Sequence, residues 1–289
     1  MRRTLLHAAA LCCFALGTAC AHAAGAIGPA ALKSRHTALA PQLARNAFGG
    51  PLVLQSEEAG RRIEGEVYAL IDHPFSEVAG ELEQPAAWCE ILILHLNTKA
   101  CTIVDPGGRK QVDVRVGKKE LQPPEQASLL SFSWEGASRR ADYLAVQMSA
   151  EDGPYDTHEY RILAEAVPVD AGHTFLHMGY AFSYGGASSI AMRVYLATVA
   201  RNKVGFTRVD DKYVGGVRGI AERNTMRYFL AIDAYLDSLA TPREQQVDKR
   251  MTQWFDGTEK YARQLHEMER DDYLAMKREE VRRHRAAAR

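Results

Sequence analysis

Gly215–Leu239 reads GGVRGIAERNTMRYFLAIDAYLDSL. Val217, Ala221, Tyr228, Ile232, Tyr235 and Leu239 recur at helical spacing, and Ile220, Phe229 and Leu236 widen the stripe. That spacing predicts a long amphipathic helix. Gly215-Gly216 supplies the entry turn. Thr241-Pro242 ends the helix, because the residue before a proline is pushed out of the α region. Beside the stripe, Arg218, Glu222, Arg223, Asn224 and Arg227 crowd polar atoms into the N-terminal half. Nearly everything ahead of this helix reads as strand, so a sheet is expected to fold against it.

Arg62–Ile71, RIEGEVYALI, is the first convincing strand. Asp72-His73-Pro74-Phe75 then turns the chain into a short helix, Ser76–Glu83, and Pro85-Ala86-Ala87-Trp88-Cys89 opens another. Leu92–Asn97 and Cys101–Val104 read as extended. Lys110–Val116, Leu129–Trp134, Tyr143–Ser149, Thr157–Val167 and His173–Tyr184 follow as strands with short connections, the pattern of an antiparallel meander. In the last of them Leu176, Met178, Tyr180, Phe182 and Tyr184 share one face, since side chains alternate along a strand. Ala187–Ala200 reads as a helix and Asn202–Arg208 as a short turn or strand.

The 289 residues carry 36 basic and 36 acidic side chains and are 46% hydrophobic, which suits one sizeable domain with an appendage. Balanced charge argues against nucleic acid as the main partner, because phosphate binding needs a basic surplus. Residues 1–23 have the pattern of an export signal: Arg2 and Arg3, the apolar run Leu5–Leu16, and Ala21-His22-Ala23 for cleavage. Removing them leaves 34 basic against 36 acidic residues, a net charge of −2. Soluble export to the periplasm or beyond is expected. A lipid anchor at Cys20 is disfavoured, since the aliphatic residue usual three positions earlier is missing. Cys89 and Cys101 are the cysteines left after processing, and an even pair in an oxidising compartment favours a disulfide. In the loop-entropy description so short a loop stabilises by about 3 kcal/mol.

Residues 24–60, rich in Ala, Gly and Pro, read as a flexible lead-in with one short helix, Ala38–Ala47. After Pro242, Val247, Met251, Trp254, Tyr261, Leu265 and Met268 form a loose heptad seam broken at Asp256-Gly257. Thr241, Pro242 and Glu244 have capping-box spacing at its start. Lys277–Arg289 reads as a basic, fraying tail that also suits a membrane surface.

The order first strand, short helices, strand run and closing helix resembles the START/Bet v 1-like superfamily. The residues carrying the resemblance are Glu66-Val67-Tyr68-Ala69-Leu70-Ile71-Asp72-His73-Pro74-Phe75-Ser76-Glu77-Val78, Trp88 and the closing helix. It covers roughly residues 61–240. It implies an α+β helix-grip fold, a curved antiparallel sheet packed around the long helix, with residues 241–289 as a helical extension. It also implies an apolar cavity holding a lipid, sterol, hormone or aromatic polyketide, and in a minority of members a cyclase or other enzyme.

The expected function is binding or carriage of an apolar or amphiphilic small molecule, with no cofactor. Tyr68, Leu176, Met178, Tyr180, Phe182 and Tyr184 would line one wall, with Tyr228, Ile232 and Tyr235 opposite. Arg223, Asn224 and Arg227 would meet a carboxylate or phosphate head group, and Glu222 would orient Arg218. Against this stands the simpler reading of the charges as surface ion pairs worth little each. A cyclase-like enzyme would use Tyr68, Tyr180 and Glu222 as acid–base groups. An assembly protein would dock its partner on the C-terminal helices. His173 and His177 lie roughly 13 Å apart on a strand, too far to share a metal. Gly215–Gly219 is not a phosphate loop, and Ser183–Ser189 offers no nucleophile elbow. Mature protein denatured without reductant is expected to take up no thiol-alkylating reagent, and uptake of two equivalents would overturn the Cys89–Cys101 pairing.

Overall fold

A computed structural model describes residues 25–186 and 203–287. Residues 1–23, expected to be an export signal, with Cys20, and the helix expected over Ala187–Ala200 lie outside the described residues. Eight antiparallel strands form the sheet: β1 (Leu52–Ala59), β2 (Arg62–Ile71), β3 (Thr98–Val104), β4 (Gln111–Val116), β5 (Ser128–Arg140), β6 (Tyr143–Asp152), β7 (Thr157–Pro168) and β8 (Thr174–Tyr184). Their order is β1-β2-β8-β7-β6-β5-β4-β3. Strands β3 to β8 are the expected meander, and β8 returns to pair with β2. Helices α2 (Phe75–Leu82) and α3 (Pro85–Leu92) fill the connection between β2 and β3. The long helix α4 (Gly216–Ser238) lies against β1, β2, β8 and α3. This is the α+β helix grip.

Register decides which side chains meet α4. Ile63, Gly65, Val67 and Ala69 of β2 pair with Phe182, Tyr180, Met178 and Leu176 of β8. All four of these β8 residues join the main core with Ile232 and Tyr235. At Gly65 strand and helix approach closely. A Cβ there would overlap the Thr225 hydroxyl, which already donates to the Ala221 carbonyl at 2.8 Å.

The outer face is covered too. The lead-in is not loose: helix α1 (Pro29–Ala44) precedes and contains most of the short helix expected there, and β1 joins the sheet edge. Leu32, Leu39 and Leu43 of α1 form a second core with Val53, Tyr68, Tyr143, Ala145, Val167 and Phe175. The alanine- and proline-rich composition hid these elements because their stability comes from packing rather than propensity.

The C-terminal extension is built onto the domain. Helix α5 (Gln246–Glu259) packs on α4; after the short α6 (Ala262–Leu265), α7 (Arg270–Ala287) packs on α5 and β3. Met251, Trp254 and Leu265 belong to the main core, with Val247, Tyr261 and Met268 packed on it. The expected seam is therefore spent inside the chain. Gly257 does not break α5, because it sits against Leu230 of α4. Glu244 does not complete a capping box either: α5 starts later, after Gln245, which makes no side-chain cap. Covered from both sides, α4 is buried nearly all round, not amphipathic.

Two further expectations change. Leu92–Asn97 is not extended; it continues the exit turns of α3, with the His95 N–H donating to the Leu92 carbonyl. Lys277 does not fray. It is fully buried, and its Nζ donates to the His95 and Thr98 carbonyls at 2.7 and 2.8 Å and to Glu280 at 2.8 Å. The Cys89–Cys101 disulfide is formed and ties α3 to β3 across the same turn. Gly65→Ala is expected to lower unfolding stability by about 1–3 kcal/mol, the range for overpacking; an unchanged urea midpoint would contradict the close seating of α4 on β2.

Candidate functional site

Period-two alternation on β7 and β8 puts Tyr160, Tyr180 and Phe182 on the inner face, opposite Tyr228 of α4. Ring centroids are 5.6 Å apart for Tyr160–Phe182, 5.3 Å for Tyr180–Tyr228 and 5.2 Å for His95–Tyr228. The Tyr160 hydroxyl bonds the Thr157 hydroxyl at 2.7 Å. Tyr180 is buried, and Tyr228 and Asn224 are half-buried. Burial raises the pKa of both phenols above the ordinary 10.0, so they stay hydrogen-bond donors.

His95 reaches this cluster from the α3–β3 turn. Its Nδ1 accepts the Asn97 N–H at 3.2 Å, which leaves the proton on Nε2, 3.4 Å from the Asn224 Oδ1. Burial, with the nearby charges of Arg227, Lys277 and Lys119, holds its pKa well below the ordinary 6.5. His95 is thus a neutral donor. Nothing in the run ILILHLN marks it, since the run reads as buried strand.

Of the residues predicted for the walls, Leu176, Met178, Tyr180 and Phe182 lie on the inner face, in the main core. Tyr184 packs at the strand end and its hydroxyl donates to Glu58 at 3.1 Å. Ile232 is fully buried in the main core. Tyr235 points to the far end of α4, where its hydroxyl donates to Glu81 at 2.7 Å and Arg250 stands 4.6 Å over its ring. Tyr68 is a correction: it faces the outer core under α1, because it is one residue out of phase with Val67 and Ala69.

The polar residues of α4 are not surface ion pairs. Glu222 is fully buried and accepts from the Ser56 hydroxyl and from the Phe206 and Thr207 N–H groups. Arg218 is only 3.9 Å from Glu222 and donates instead to the Ser56 hydroxyl and carbonyl at 2.8 and 3.0 Å. Arg223 donates to the Val204 carbonyl at 3.1 Å. Arg227 donates to the Leu265 carbonyl at 3.1 Å and to Glu267 at 2.9 Å. Among the described residues no group of three His, Cys, Asp or Glu is placed to hold a metal ion. A separate polar surface cleft lies beside Tyr213, whose ring is faced by Arg208 and Arg263 at 5.7 and 4.6 Å.

A second polar group, unmarked in the sequence, lies under α1. His177 is buried between Glu165 and Glu66, each 3.0 Å from a ring nitrogen, and stacks on Tyr68 at 4.4 Å. Glu165 also accepts the Tyr143 hydroxyl at 2.6 Å and the Gly28 N–H at 3.0 Å, which docks the start of α1. Burial opposes every charge here, but the His177 bonds hold the Glu66 and Glu165 carboxyls below the ordinary 4.5, and the two carboxylates hold His177 above 6.5.

No known family model matches this chain, and no curated protein matches it in sequence. Solved structures similar to part of it include Ara h 8.0201, at 12% identity over 65% of this chain and 99% of that one, with a TM-score of 0.36. The Zhui aromatase/cyclase of a Streptomyces species is 13% identical over 70% of this chain and 95% of its own, with a TM-score of 0.33. Norcoclaurine synthase from Thalictrum flavum is 13% identical over 52% of this chain and 88% of its own, with a TM-score of 0.32. These three are Bet v 1-like proteins.

The buried histidine has a defined pH signature. The lowered carboxyls stabilise above their unfolded value of 4.5, and this is lost as pH falls through their folded pKa values. The raised histidine stabilises below its unfolded value of 6.5, and this is lost as pH rises through its folded pKa. The difference in melting temperature between the natural protein and His177→Gln is therefore expected to peak between pH 4.5 and 6.5. A difference that stays flat across that window and on either side would remove the charged pair from the account.

Proposed function

We propose that this chain is an exported START/Bet v 1-like carrier that binds an apolar small molecule between α4 and the inner face of the sheet and releases it unchanged. The observation that supports this is the cluster of Tyr160, Tyr180 and Phe182 on the inner face of the sheet, met by half-buried Tyr228 of α4 with half-buried Asn224 beside it. Aromatic walls with a few fixed donors are what small-molecule sites use: area for affinity, polar atoms for orientation. Leu176 and Met178 form the apolar floor. Export is supported by the pattern of residues 1–23 and by the Cys89–Cys101 disulfide.

The groups the enzyme reading required are dispersed. Tyr68 is on the outer face, Glu222 ties down the loop at Phe206 and Thr207, and Tyr180 is a phenol with a raised pKa. The apolar seam the assembly reading required is buried in the chain's own core.

Protein purified natively and extracted with organic solvent is expected to yield an apolar compound near one equivalent, identified by mass spectrometry. Phe182→Asp is expected to lose it. Folded natural protein that yields nothing and fails to bind an added hydrophobic dye would overturn the reading, as would a Phe182→Asp protein that folds and binds unchanged.

A further inference from the structure

Glu267 lies on the non-helical stretch of residues 266–269 between α6 and α7. Three cations from separate parts of the chain converge on its carboxylate: Lys119 from the β4–β5 connection at 2.8 Å, Arg227 from α4 at 2.9 Å and Lys203 at 3.0 Å. Burial pushes this carboxyl up, but the charges of Arg227 and Lys119 and the lysine hydrogen bonds pull it down to about 2. Next to this group, Lys99 and Lys277 share Glu280, at 2.9 and 2.8 Å. Five cations thus meet two carboxylates among the described residues, with neutral His95 near Arg227, Lys277 and Lys119.

Lys99, Arg227 and Lys277 are buried, and a charge surplus at such positions is costly unless an anion compensates it. Two placements indicate where the anion would come from. The Lys119 and Lys203 side chains are each 32% exposed, so the group opens to solvent on that side. On the other side Arg227 adjoins Tyr228, whose ring stacks on His95 at the polar edge of the aromatic cluster.

We infer that Lys119, Lys203 and Arg227 form a recognition site for a carboxylate or phosphate, occupied by the chain's own Glu267, and that an acidic head group exchanges with Glu267 when a ligand enters. This rests on the carrier reading for the position of the ligand's apolar body. The exchange is non-covalent. The side chain of Glu267 swings out on its non-helical segment, and the incoming anion takes over the same three donors. The carrier would then close when empty, with its cations satisfied, and prefer acids to neutral ligands of equal length.

The test is titration calorimetry with decanoate, decanol and inorganic phosphate. It uses the natural mature protein, Glu267→Gln and, because Glu267→Gln leaves Arg227 without its carboxylate and is at risk of misfolding, Lys119→Gln at a partly exposed position. Decanoate is expected to bind the natural protein about 10-fold or more tighter than decanol, the scale of a charge-assisted hydrogen bond. Glu267→Gln should tighten decanoate and leave decanol unchanged. Lys119→Gln should weaken decanoate alone. Equal affinities for acid and alcohol in every protein would overturn the head-group site and leave the carrier reading standing. Failure of both decanoate and decanol to bind would overturn the carrier reading, and phosphate binding to Glu267→Gln would then assign the site to a free anion. Failure of phosphate as well would overturn the anion site altogether.

Discussion

The section of sheet formed by β2, β8 and β7 has helix on both faces, so each of these strands must satisfy two cores at once. Side chains alternate, and β8 accordingly sends Leu176, Met178, Tyr180 and Phe182 toward α4, with Phe175 and His177 toward α1. A polar side chain on either face is then far from water and has to be paired inside the protein. That requirement accounts for the Glu66–His177–Glu165 group under α1 and for the bonds that Glu222 accepts beneath β1. It also gives Gly65 its place, since the helix can approach the sheet that closely only where no side chain intervenes.

The turn between α3 and β3 is the second organising feature. The disulfide closes its ends, Tyr273 donates to the Leu94 carbonyl at 3.0 Å, and Lys99 and Lys277 bond its carbonyls from beneath. Backbone carbonyls that no helix or strand satisfies are here satisfied by buried ammonium groups, whose own charge is balanced in part by Glu280. The result is a rigid turn that presents His95 inward. The C-terminal extension is thus a structural partner of the domain; Trp254 further bonds the Arg227 carbonyl at 3.0 Å.

The interior joins two kinds of surface. Toward β7 and β8 it is aromatic, with neutral phenols. Toward the α3–β3 turn it becomes polar through Asn224 and His95, and just beyond that it is strongly cationic. A neutral histidine beside three cations is the physically consistent state, because a fourth positive charge in a low dielectric would be expensive. The change from apolar to cationic runs around α4, from Tyr228 to Arg227, which are neighbours in sequence on different faces of the helix.

The local content of the fold was legible from the chain. Period-two runs marked β2 and β4 to β8, the spacing in Gly215–Leu239 marked α4, and the even pair Cys89 and Cys101 marked the bond between them. These readings hold because alternation and helical spacing are properties of a single segment. Tertiary structure decided the rest. α1 and β1 are stable only because a sheet face and a sheet edge were available to receive them. Tyr68 fell on the wrong side because face assignment needs the register of β2 against β8. Arg227 looked like a surface or ligand-facing group because its partner, Glu267, lies 40 residues away, and Lys277 looked like a fraying tail because the carbonyls it binds belong to residues 95 and 98. Periodicity tells a side chain which face of its own element it occupies; what stands opposite that face is set by contacts between segments far apart in the chain.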